Sequence, residues 1–280
     1  MKLTDVTALG RTPVDPSYPT NRAIAALALV VTVAGTIWRL FSGAALLESV
    51  LWGIGAGFLP FLTWALGREL DPDHDLSAFV GAGLVLIALL LPDMPSLLVV
   101  LWLLLVLRTV NRSVGLPAKP LDSLGVLGLG AWLTWQGNWM VGLMTAVAFL
   151  FDGLLSPPLR HQLFFSGLAI VSTVILSIFH GGMAMETGPT VPVVISSVMM
   201  AGLFTIVIAT TREVEAVGDA TGKVLNPRRV QAAQLLALLT VLLFAWWDGA
   251  SGVMAVLPLW AAMVGVSLYR AADLFLSRSH

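Results

Sequence analysis

"VPVVISSVMMAGLFTIVIATTREVE" (residues 191–215) decides how the chain is read. Its first twenty residues carry no charge, and Arg212, Glu213 and Glu215 follow at once. About twenty apolar residues at 1.5 Å per residue cross a bilayer core of about 30 Å. The same design, an apolar run closed by arginine, recurs at Arg68 and Arg108. Across 280 residues, 58% are hydrophobic and only 11% charged. A soluble domain carries about 25% charged residues, because it must clothe its surface. The sequence therefore predicts an all-α, polytopic integral membrane helical bundle.

Apolar windows between breakers predict about ten transmembrane helices, near residues 23–41, 44–66, 77–92, 95–110, 122–136, 138–154, 163–180, 190–210, 229–247 and 252–270. Residues 1–22 read as a polar, proline-punctuated tail, 23–270 as the membrane domain and 271–280 as a second tail. Asn226 before Pro227 is a helix start. Asp122 or Ser123 suits the start of the fifth helix, and Asp75 or Ser77 that of the third. Pro60, Pro192 and Pro258 mark kinks or helix ends.

These spans place the loops on two sides, and the basic residues then separate. Lys2, Arg11, Arg22, Arg68, Arg108, Arg112, Lys119, Arg160, Arg212, Lys223, Arg228, Arg229, Arg270 and Arg278 share one side, leaving only Arg39 on the other. Excess Lys and Arg marks the cytoplasmic side. The expected topology has both termini cytoplasmic, in the inner (cell) membrane. Trp38, Trp132, Trp135, Trp139, Trp246 and Trp247 fall near the outer turns, where indole rings favour the headgroup boundary.

With no cysteine, thiolate metal sites, disulfides and cysteine nucleophiles are excluded. No basic surface supports a nucleic-acid partner. The expected partners are the lipid bilayer and another membrane protein or a second copy. Ionisable residues at mid-membrane mark ion and proton pathways. Here Glu48, Asp152 and Arg39 all sit near predicted helix ends, which argues against a proton-driven pump. Gly53 and Gly57, four apart in "WGIGAGF", predict a close helix contact.

Chemistry has few candidates. "RELDPDHDL" (68–76) alternates Asp71, Asp73 and Asp75. A calcium loop would need glycine at its sixth place and glutamate at its twelfth, where Leu76 and Ala82 stand. A magnesium site built on one or two carboxylates and a substrate diphosphate is the alternative. Its second acidic loop would supply Glu213 and Asp219. The competing reading is a connector, in which Pro72 stops one helix, an acid starts the next, and the carboxylates splay into water. "GDATGKV" (218–224) has three residues between its glycines and Val224 after the lysine, so it reads as turns rather than a phosphate loop. His180, Met183 and Met185 form a soft-ligand set suited to Cu(I), although methionine also serves as an interfacial hydrophobe. Three functions follow in order of expectation. The first is a non-enzymatic membrane subunit or scaffold, and the second a carrier of a small neutral or amphipathic solute. The third is a lipid-modifying enzyme with a cytoplasmic carboxylate and magnesium site.

Overall fold

A computed structural model describes residues 7–10, 18–91, 94–179 and 188–277. Among these the chain forms ten helices: α1 (Pro19–Phe41), α2 (Leu46–Leu70), α3 (Asp75–Ala88), α4 (Leu97–Asn111), α5 (Pro120–Trp135), α6 (Trp139–Leu154), α7 (His161–Phe179), α8 (Val191–Thr210), α9 (Pro227–Ala255) and α10 (Leu257–Ser277). Six of them, α1, α2, α7, α8, α9 and α10, are long and apolar enough to cross a membrane. The other four have 14 to 16 residues, or about 21–24 Å of helix. That falls short of the hydrocarbon core, so length and composition support six spans where ten were expected.

The helix ends correct the sequence reading in physical detail. The first helix begins at Pro19, a first-turn proline whose missing amide costs nothing there. α5 starts at Pro120, and Asp122 serves that start as expected, though from the first turn and not from the cap position: its side chain accepts from the backbone amide of the cap residue Lys119 at 2.9 Å. α3 starts at Asp75 with His74 at its cap, and the Ser77 hydroxyl donates back to the His74 carbonyl at 2.8 Å. The outer turn expected at 248–251 is a kink at Gly249 (φ 58°, ψ −129°), after which helical backbone resumes to Ala255. A side chain at Gly252 would fall 1.9 Å from the Phe244 carbonyl oxygen, so the returning segment lies against the helix it left. Pro60 lies within α2, whereas Pro192 and Pro258 lie in the first turns of α8 and α10.

The chain divides into two compact units. One holds the segment 7–10 with Trp102–Val256, and the other holds 18–101 with the chain from Leu257 onward.

In the second of these, α1 lies on α2 through small residues. A Cβ on Gly53 would come within 2.0 Å of Thr36 Oγ1, and one on Gly57 within 2.0 Å of Thr32 Oγ1. The same two threonine hydroxyls donate to their own helix carbonyls four residues back, at Ala28 and Thr32. The backbones thus approach closely while the hydroxyls stay satisfied, as apolar surroundings require. α3 meets α10 in the same way, with Gly81 against Ala262 and Gly265.

The unit built on Trp102–Val256 repeats the device. Gly130 faces Thr145, and Gly142 faces Thr134 and Thr173. Trp102 is fully buried and donates its indole N–H to Thr145 Oγ1 at 2.8 Å. Segment 211–226 closes a small hairpin, with Val217 bridged to Val224 and Gly218 donating to the Lys223 carbonyl at 2.8 Å. Its tip rests on Gly115, whose φ of +88° and closeness to Thr221 exclude a side chain. The amide of Ala220 bonds the Val114 carbonyl. The "GDATGKV" amides therefore close turns and dock the hairpin, with no cradle for a phosphate.

Candidate functional site

The acidic stretch 67–76 lies where α2 ends and α3 begins. Pro72 terminates α2 as expected from its missing donor. Of the three aspartates, Asp71 does not splay into water, whereas Asp73 and Asp75 stay partly exposed. Asp71 is fully buried, and its Oδ1 accepts from Arg270 NH2 at 2.7 Å and pairs with His74 Nδ1 at 2.9 Å. His74 in turn stacks on Tyr269, with ring centroids 5.5 Å apart. Asp75 pairs with Arg68, and Thr20 Oγ1 lies 3.5 Å from its other oxygen. Asp71 and Asp75 thus face different basic partners. Arg68 is close to the loop in sequence, whereas Arg270 lies near the far end of the chain.

The second cluster was not recognised in the sequence as a site. Asp152, at the end of α6, is fully buried. Its Oδ1 accepts from Arg112 Nε at 2.8 Å and from Arg229 NH1 at 2.7 Å. Arg112 is held at φ +54°, a left-handed conformation just past α4 that turns its side chain toward Asp152. Arg229 also donates to the carbonyls of Val110, Leu155, Ser156 and Pro157. One guanidinium therefore clasps the end of α4 and the bend after α6, which contains a cis peptide bond at Ser156–Pro157. Two arginines on one carboxylate leave this buried cluster with a formal charge of +1.

A third tie holds the described tail. The Ala8 amide donates to Asp122 Oδ2 at 2.8 Å, and the Thr7 hydroxyl bonds Oδ1. Arg108 NH1 donates to the Leu9 carbonyl at 3.1 Å. Ala8 and Leu9 are buried as a result. On the opposite predicted side, Arg39 pairs with Glu48 and lies over the Trp52 ring.

The comparisons with known proteins return nothing: no family model, curated protein or solved structure matches the chain.

Among the described residues, no group of three or more His, Asp or Glu side chains is placed to hold a metal ion. Glu213 and Asp219 are exposed in the hairpin segment. His180, Met183 and Met185 lie outside the described residues. Gly53 and Gly57 lie at the α1–α2 contact. Chemically, both aspartate clusters fix helix ends: a buried carboxylate held by guanidinium forks is oriented and strongly bonded. The long-range pairs had no local sequence pattern to reveal them.

Proposed function

We propose that this chain is a non-enzymatic subunit or scaffold of the inner (cell) membrane, with both termini cytoplasmic. The observation that carries the reading is the use made of the ionisable side chains. Asp71, Asp75, Asp122 and Asp152 each tie one piece of backbone to another. A proton- or ion-coupled carrier, or an enzyme using carboxylates, needs such groups turned toward a solute path or a substrate. Asp71 and Asp75 answer to separate cations, which weighs against a shared magnesium ion, and that leaves the lipid-enzyme reading behind. The apolar flank agrees with the scaffold. α1 buries only Ile24, while Leu29, Val30, Val33 and Ile37 face outward. Such a face suits lipid or another membrane helix.

The test is extraction of the tagged chain from its native membrane in polymer nanodiscs, followed by mass determination. A subunit or scaffold gives a particle with a second protein, or further copies of the 29.7 kDa chain, in a fixed whole-number ratio. The ratio stays the same in Asp73→Asn and Glu213→Gln. A lone 29.7 kDa chain in every preparation overturns the reading.

A further inference from the structure

Where α8 ends and α9 begins, the unit built on Trp102–Val256 carries a groove of about 660 Å³, lined by Leu154, Ser156, Arg212, Asn226, Arg228 and Gln231 among others. Several of its uncharged polar groups already bond within the protein. The Ser156 carbonyl receives Asn226 Nδ2 at 3.0 Å and Arg229 Nε at 3.2 Å. Asn226 Oδ1 caps α9 by accepting from the Arg228 amide at 3.0 Å. Gln231 spends its amide on the Ile208 carbonyl at 3.0 Å. Its two arginines, Arg212 and Arg228, form no ion pair among the described residues. Arg212 bonds only a backbone carbonyl, that of Ala209, and the Arg228 guanidinium has no hydrogen-bond or ion-pair partner among the described residues. No carboxylate lines the groove. Behind its wall at Leu155–Pro157 lies the Arg112–Asp152–Arg229 cluster, with one positive charge in excess.

We infer that this groove binds a phosphate group, held by Arg212 and Arg228, and that its resident ligand is the headgroup of an anionic phospholipid. Guanidinium forks bind phosphate oxygens in bidentate geometry, and phosphate is the anion that every phospholipid headgroup presents at a membrane surface. The excess charge behind the wall adds attraction that the protein itself leaves unbalanced. Depth supports the lipid as the source. α8 and α9 are both of spanning length, so the groove between their ends falls at headgroup level, and exposed Leu154 offers an apolar edge for an acyl chain. Basic pockets between membrane helices recognise anionic headgroups in this way. The inference rests on the membrane placement of α8 and α9, not on the scaffold role.

The test uses the delipidated full chain in detergent. Native mass spectrometry compares retention of phosphatidylglycerol with phosphatidylcholine, and thermal melting is followed with each lipid and with inorganic phosphate. The wild type should favour phosphatidylglycerol by about fivefold or more. Arg212→Gln/Arg228→Gln should bring the two lipids near parity. Arg160→Gln, an exposed arginine that does not line the groove, should leave the preference within about twofold of wild type. If the double variant fails to fold, Arg228→Gln alone reads the same preference. Stabilisation by inorganic phosphate without phosphatidylglycerol retention keeps the phosphate site and assigns it a soluble ligand. Equal retention of both lipids with no phosphate effect overturns the site. An equal loss in Arg160→Gln also overturns it, reducing the groove to general surface charge.

Discussion

Arg270 on α10 donates to Asp71 at the end of α2 across 2.7 Å of space and 199 positions of sequence. Asp71 is wholly buried and the Arg270 side chain nearly so, at 16% exposure. Removing one partner of such a pair strands the other charge, which costs more than the pair itself contributes. Arg270→Gln or Asp71→Asn should therefore lower unfolding stability in detergent by about 3–5 kcal/mol. Asp71→Leu/Arg270→Met should recover much of that loss. A single variant as mild as an ordinary surface change would show that the pair does not hold α10.

At Asp152 the stoichiometry sets an order. Arg112→Gln leaves one carboxylate with one arginine, Arg229, a balanced pair. Asp152→Asn leaves two buried or nearly buried guanidiniums facing each other. Melting should fall further in Asp152→Asn than in Arg112→Gln. Arg229→Lys should also be costly, since a lysine cannot reproduce a fork that reaches four carbonyls and a carboxylate. The reverse order would show that Arg112 does more than neutralise.

Gly57 should not tolerate a side chain. Its Cβ would meet Thr32 Oγ1 at 2.0 Å and the Ala28 carbonyl at 2.5 Å. Gly57→Ala should destabilise by about 1–3 kcal/mol. Adding Thr32→Ala should relieve only part of this, because the backbone oxygen stays in place. An unchanged melting temperature would place α1 away from α2.

The topology can be read with single cysteines, because the chain has none of its own. Cysteine at exposed Ala220 should resist an impermeant maleimide in intact cells and react once they are opened. Cysteine at exposed Ser42 should react in intact cells. Labelling at Ala220 from outside would invert the assignment.

Magnesium should leave the melting temperature unchanged, with or without Asp73→Asn. A rise that Asp73→Asn abolishes would restore the carboxylate and magnesium reading of "DPDHD" and bring the lipid-enzyme function forward.

Hydropathy and local chemistry by themselves determined a great deal here. Each apolar run became a helix, because a backbone among apolar side chains must bond to itself. Pro72 ended α2, and Asn226 with Pro227 started α9, because caps and breakers act within a few residues. The same locality explains what the sequence left undetermined. The number of spans depended on helix lengths, and α3–α6 stop at 14 to 16 residues once turns and docking claim their ends. Only the tertiary structure paired Asp71 with Arg270, or gathered Arg112 and Arg229 on Asp152. A carboxylate's fate, water or an ion pair, depends on which distant helix brings a cation to it, and charge pairing at long range leaves no periodic trace along a chain.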